Sequence, residues 1–290
     1  MFDSIKKDLI FQYQYGGMTI KLILINIGFF LAIMLFRLVL FIGNAGELPG
    51  FYYTIVDGLS LSNEWRYIIL RPWTWITHMF MHLGLLHILF NMLYLMWFGR
   101  ILENLLGPRK IINIYIIAGL CGALFFFGFS KLLYTGEVFA FGASAAVMGI
   151  AVAAATMVPD HEMRLLFIGN VKLKFLVLAL VLLDLIMIPS MSNSGGHVAH
   201  LGGAFMGFLY IKLLYNGIDL GDIKWKPKVK KRPSFKVMVN KEKMMDLKKT
   251  KERSLTEQQR IDAVLEKIKE EGYEKLSQEE KDFLFEVSKK

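Results

Sequence analysis

Three groups of polar residues stand in otherwise apolar stretches of this sequence, each at a spacing that chemistry can use. The first is His82-x-x-x-x-His87-x-x-x-Asn91. His87 and Asn91 are four apart, so on a helix they share one face. The second is Ser144, the one hydroxyl in the run FGASAAVMG at 141–149. The third is His197-x-x-His200. A serine hydroxyl is a weak nucleophile until a base such as histidine takes its proton. Ser144 and His200 are therefore the candidate nucleophile and general base of an acyl transfer. The backbone N–H of Ser144, at a helix start, would meet the developing oxyanion together with side-chain donors from His87 and Asn91. No Asp or Glu accompanies the pair at a matching depth, which favours a dyad over a triad. Asp184 and Arg37 read as isolated charges in apolar runs, to be accounted for by an ion pair, a water-facing position or a role in substrate entry.

Small residues say how such a pair would meet. Ala145, Gly149 and Ala153 form a small-xxx-small stripe, and Ala199, Gly203 and Gly207 form its counterpart. Membrane helices with such stripes pack backbone to backbone. The bland reading makes Ser144 one more small residue in that contact. The same contact, however, brings a hydroxyl and an imidazole to similar depth, because both lie near the starts of their helices.

The elements that carry these residues are membrane spans. The chain is 54% hydrophobic with a mean hydropathy of +0.43, above the range of ordinary soluble domains. A spanning helix needs about 20 apolar residues. Spans are expected at 19–42, 85–106, 109–131, 143–158, 173–188 and 197–215, with 190–196 a polar loop and 43–72 a partly structured one. Gly107-Pro108 should stop the second span and start the third, and Glu103 and Arg100, near the cytoplasmic end of the second, should tie down a turn. The first apolar run is long, which predicts a retained span rather than a cleaved signal peptide. Lys6, Lys7, Lys21, Arg100, Arg109, Lys110, Arg164, Lys172 and Lys174 all fall on one side of this topology. That places both termini in the cytoplasm and the start of the Ser144 helix at the opposite face.

The formal net charge is +9, and much of the excess follows Ile223. A basic stretch beside a span predicts contact with anionic lipid, and no nucleic-acid recognition element accompanies it. Further on, Thr256 with Gln259 and Ser277 with Glu280 make capping-box patterns, each followed by apolar residues at helical spacing. Gly272 separates the two segments, so a helical hairpin is expected. The single cysteine, Cys121, precludes an intrachain disulfide and reads as a buried thiol.

Together the three motifs resemble those of the rhomboid family of intramembrane serine proteases. Gly142-Ala143-Ser144 resembles the family's Gly-x-Ser, the His82–Asn91 segment its His-x-x-x-x-His-x-x-x-Asn, and Ala199-His200-Leu201-Gly202-Gly203 its Ala-His-x-Gly-Gly. They occur in order on spans two, four and six, and the resemblance covers 19–215. It implies an all-α polytopic membrane protein with a six-transmembrane-helix rhomboid bundle at 19–216, preceded by a cytoplasmic segment 1–18; the charge and capping patterns add a basic linker at 217–253 and a helical hairpin at 254–290. It implies Ser144 as nucleophile, His200 as base, and His87, Asn91 and the Ser144 N–H as oxyanion donors. His82 and Gly142 would be structural, with His82 holding the start of the His87 helix. It implies neither metal nor cofactor, and transmembrane protein substrates cut within or beside their spans; the compactness of the chain and the lack of a targeting segment favour a bacterial inner membrane. Two departures stand out. Ala145 occupies a place where the family often has Gly, and the family's Trp-Arg pair of the first loop is matched either by Trp73-Thr74 or by Trp65-Arg66.

Rival readings have their own signatures. A catalytically silent relative that only binds membrane clients has no need of Ser144 and His200, yet both are present. A transporter would show paired internal repeats, which are not detected. A zincin would need His-Glu-x-x-His, and His161-Glu162 lacks the second histidine.

Overall fold

A computed structural model of the chain describes residues 10–165, 168–190, 193–221 and 259–288. They fall into two compact units, Met1–Lys224 and Trp225–Lys290. The basic linker from residue 222 onward and Thr256 of the first capping box lie outside the described residues.

The first unit is helical. Helix α1 (Gly17–Gly43) leads into a connection holding α2 (Gly50–Leu59), α3 (Trp65–Leu70) and α4 (Thr74–Thr77). Then come α5 (Leu85–Leu106), α6 (Pro108–Leu133), α7 (Ser144–Met157), α8 (Leu173–Met187) and α9 (Ser194–Tyr215). Among the described residues, α1, α5, α6 and α9 are long and apolar enough to cross a membrane. Helices α7 and α8 have 14 and 15 residues, short of the roughly 20 that a full crossing takes.

Local chemistry sets the boundaries. Gly107, at φ +82°, ends α5, and Pro108 opens α6 at a position where its missing N–H costs nothing. Glu103 ties down the first turn of α1. Its carboxylate accepts the N–H of Met18 and, at 3.1 Å, that of Thr19. These are donors that a helix start leaves without an internal partner. Glu103 therefore caps α1, a contact across 84 residues of sequence that turn chemistry does not reveal. Helix α9 also starts earlier than the polar composition of 190–196 suggests. The Ser194 hydroxyl donates to the Ile188 carbonyl at 2.6 Å, and the Tyr134 hydroxyl accepts the Gly195 N–H at 3.0 Å. These bonds hold the first turn in helical form.

The connection after α1 is ordered by specific bonds. The Trp73 indole N–H donates to the Gly58 carbonyl at 2.8 Å, and the Thr77 hydroxyl to that of Leu59 at 2.8 Å. Strand β1 (Leu61–Ser62) pairs antiparallel with β2 (Phe139–Ala140), Leu61 opposite Ala140. The segment just before Ser144 is thus fastened to the first loop. Between α7 and α8, β3 (Glu162–Leu165) pairs with β4 (Gly169–Lys172). His161-Glu162 therefore leads into a strand and presents no helical metal-binding face.

The core confirms the small-residue contact. A Cβ added at Gly203 of α9 would lie 2.0 Å from the Ala145 carbonyl oxygen of α7, and one at Gly207 would lie 2.1 Å from that of Gly149. No side chain fits there, so the two backbones touch. Around this contact pack Leu95, Phe98 and Leu102 of α5, Ile114 and Tyr115 of α6 and Ile150 of α7, all buried.

In the second unit, a helix at 259–271 (α10) ends before Gly272, which has φ +85°, and α11 (Gln278–Val287) follows. The Ser277–Glu280 capping box is formed in both directions. Lys267 of α10 reaches the Glu280 carboxylate at 2.9 Å, and the Arg260 guanidinium lies over the Phe283 ring.

Candidate active site

Helices α5 to α9 and the loop between α6 and α7 converge on a cavity of about 890 Å³. Ser144, His200, His87 and Asn91 all line it, together with apolar side chains such as Phe90 and Leu183. The three sequence motifs are thereby brought to one place.

Ser144 is the first residue of α7, and Ala143 is its N-cap. Its N–H therefore has no carbonyl one turn back and belongs to the positive end of the helix dipole. The preceding turn is fixed by Gly142. That residue has φ +126°, a conformation that side-chain-bearing residues rarely adopt. Its N–H donates to the His78 carbonyl at 2.8 Å. A Cβ there would sit 2.8 Å from His87 Nε2 and 3.7 Å from Ser144 Oγ. The absence of a side chain at Gly142 thus lets the His87 ring lie over the turn, beside the serine hydroxyl.

His82 is fully buried and grips the same turn. Its Nε2 accepts the Ala143 N–H at 3.3 Å, while its Nδ1–H donates to the Phe80 carbonyl at 3.3 Å. The ring therefore holds the loop before Ser144 in place, a different position from the helix start to which the resemblance assigned it. Asn91 donates from Nδ2 to the His87 carbonyl at 2.9 Å and approaches His82 Nε2 at 3.4 Å. Its second N–H thus has only a share of the Nε2 lone pair that the Ala143 N–H already engages.

His200 is the seventh residue of α9, nearly two turns from its start. Among the described residues no hydrogen bond joins its ring to the Ser144 hydroxyl. Such contacts are commonly loose without substrate and tighten when it binds. The other side of the ring is occupied. His200 Nδ1 lies 2.8 Å from Asp184 Oδ1, and His197 Nδ1 lies 2.7 Å from the same oxygen. Asp184 is thus not an isolated charge, and a carboxylate does stand at the depth of the pair. Sequence order concealed this because Asp184 belongs to α8, 16 residues before His200. Arg37 is exposed on α1 and is not its partner. His78 turns inward, donating from Nδ1 to the Thr74 carbonyl at 2.7 Å.

Asp184, His197 and His200 are also the one group among the described residues whose ligand atoms cluster closely enough to hold a metal ion. Their spacing is that of hydrogen bonds. Donors around one zinc, at bonds of about 2.0–2.2 Å in a tetrahedron, stand about 3.3 Å apart, whereas these pairs stand at 2.7 and 2.8 Å.

Compared with known proteins, residues 70–217 match the rhomboid domain family. Residues 248–290 match a family of unknown function, DUF6576. The chain is 32% identical over 98 residues to the rhomboid protease GlpG of Yersinia pseudotuberculosis, covering 33% of this chain and 34% of that protein. It is 30% identical over 139 residues to RHOMBOID-like protein 7 of Arabidopsis thaliana, covering 48% and 42%. It is 29% identical over 126 residues to the GlpG of Photorhabdus laumondii, covering 43% and 37%. The matched stretch thus spans between 34% and 42% of the length of these relatives. The family match starts at residue 70, so α1 lies outside it.

Proposed function

The chain belongs to the rhomboid family, and we propose that it is a multi-pass membrane serine endopeptidase that cuts other membrane proteins within or beside their spans. The observation that carries this reading is the convergence of Ser144, His200, His87 and Asn91 on one cavity. Six helices would cross the bilayer, α7 and α8 incompletely, with both termini cytoplasmic, in keeping with the distribution of Lys and Arg. A bacterial inner membrane accords with the bacterial GlpG relatives. The basic linker would hold the tail against anionic lipid.

The reaction runs through an acyl-enzyme. The Ser144 Oγ–H proton passes to His200 Nε2 as Oγ attacks the scissile carbonyl carbon, and the carbonyl π electrons move to oxygen. The oxyanion meets the Ser144 N–H, His87 and Asn91. For Asn91 this means exchanging the long 3.4 Å contact with His82 for a stronger charge-assisted bond. His82 Nε2 keeps the Ala143 N–H, so the exchange strands no buried acceptor. The C–N bond then breaks, and His200 returns the proton to the leaving amine. Water attacks the acyl-enzyme by the same steps and frees Ser144. An extended substrate backbone is required, since a helical carbonyl is shielded, so helix-breaking residues near the cleaved bond should favour cutting. A client-binding relative without chemistry is disfavoured, because this pair and its donors serve no binding purpose.

The test compares the wild type with Ser144→Ala and His200→Ala on a fluorogenic transmembrane peptide. Both variants should lose cleavage while retaining their melting temperatures. Full activity in Ser144→Ala would refute the assignment.

A further inference from the structure

We infer that Asp184 is a positioning residue for His200, making the reacting group a Ser144–His200–Asp184 triad in which His197 fixes the carboxylate. The inference rests on the serine protease reading above.

Asp184 is the one ionisable residue between Lys174 and the end of α8, and it is 7% exposed. Its neighbours Leu182, Leu183, Leu185 and Ile186 are apolar and exposed. A carboxylate among apolar spans is costly and persists where it has partners. Here the partners are two imidazoles on one face of α9, three residues apart. Both Nδ1 atoms fall within hydrogen-bond distance of the same oxygen, Oδ1. A carboxylate oxygen has room for two donors, and an ionised carboxylate only accepts. Each ring must therefore carry its proton on Nδ1.

For His200 that tautomer decides the chemistry. With the proton on Nδ1, the Nε2 lone pair is free to take the proton of Ser144. With the proton on Nε2, the ring has no basic site facing the serine. Asp184 selects the competent form and holds the ring's orientation. When the Ser144 proton arrives, the ring becomes an imidazolium beside an anion that stays ionised, which lowers the energy of the charged state. The proton stays on His200 until the leaving amine takes it. His197 adds a second bond to Oδ1. Its ring stands at 86° to that of His200 with centroids 5.9 Å apart, so it restrains the carboxylate from the side without covering the His200 face.

The experiment uses the full chain in detergent, with Asp184→Asn and Asp184→Glu beside the wild type. An asparagine amide can donate to Nδ1 and stabilise the wrong tautomer. Asp184→Asn should lower kcat by about 10²–10⁴-fold with KM changed by less than about threefold. Fluorophosphonate labelling of Ser144 should fall in parallel while the melting temperature holds. Asp184→Glu should recover part of the loss. Cleavage and labelling by Asp184→Asn within about threefold of wild type would overturn the triad and leave the protease reading standing. A wild type that neither cleaves nor labels would overturn the protease reading itself, and the inference with it. Loss of wild-type activity on chelation, restored by zinc, would overturn the inference in favour of a metal site. Should Asp184→Asn fail to fold, ¹⁵N resonances of the wild-type histidines decide. His200 is expected with Nδ1 protonated and Nε2 bare, and the reverse pattern overturns the inference.

Discussion

Gly203→Ala places a single methyl group where α7 and α9 touch. The added Cβ would lie 2.0 Å from the Ala145 carbonyl oxygen, 2.7 Å from its carbon and 3.1 Å from its Cα. Every one of these atoms is backbone, so none can swing aside. Ordinary contact begins near 3.4 Å, and the shortfall along that line is 3.4 minus 2.0, or 1.4 Å. The wedge acts one residue after Ser144 and three residues after His200, and it must part the hydroxyl from its base. A misplacement of about 1 Å costs on the order of 10²-fold in rate, which corresponds to about 2.7 kcal/mol. Gly203→Ala should therefore lower kcat by about 10²-fold or more, and overpacking should remove about 1–3 kcal/mol of stability. Gly128→Ala is the control, since a Cβ there meets nothing within 4 Å. The assay is steady-state cleavage of a fluorogenic transmembrane peptide, with thermal unfolding followed by tryptophan fluorescence. Cleavage by Gly203→Ala within about threefold of wild type, at an unchanged melting temperature, would refute the claim that this contact sets the distance between Ser144 and His200.

Asn91→Ala should reduce kcat by about 10- to 1000-fold, with the loss in turnover rather than in substrate binding; an unchanged rate in a kcat and KM comparison would confine Asn91 to its bonds with His82 and the His87 carbonyl. Ala145→Gly should keep cleavage within about threefold, because the Ser144 N–H, His87 and Asn91 are untouched, while its lost methyl, packed where Gly122 leaves room, lowers the melting temperature slightly. Asp160 closes the α7–α8 hairpin with Lys174 at 2.8 Å and Lys172 at 3.2 Å, and these bonds hold its carboxyl below the usual 3.8. The folded state therefore gains from Asp160 above that value and loses the gain as acid protonates it, so Asp160→Asn should flatten the acid side of a melting profile. Because the group is exposed, cleavage at neutral pH should change by less than about twofold.

How far the sequence could be read follows from which residues work locally. The spacing of His87 and Asn91 on one helical face, the stripes Ala145–Gly149 and Gly203–Gly207, and the stop at Gly107-Pro108 act within a turn or two, and each is found where the sequence placed it. The contacts that escaped reading are long-range. Glu103 lies 84 residues from the helix start that it caps, and nothing in its neighbourhood signals that partner. Asp184 looked isolated because its depth depends on where the short helix α8 sits against α9, and on the extra turn at Ser194 that moves His197 and His200 into helical register. The resemblance makes His82 structural, but what it holds is the Ala143 N–H, 61 residues away. The engaged donors of Asn91 were likewise hidden, since they depend on rotamers rather than spacing.

A fluorophosphonate probe tests the chemistry most directly, because its phosphorus is attacked by an activated serine and fluoride leaves. The purified wild type should carry the label on the peptide containing Ser144, as located by mass spectrometry. Ser144→Ala should carry none, and His200→Ala should label only slowly. A label on any other residue, or cleavage that continues while Ser144 stays unlabelled, would contradict the account.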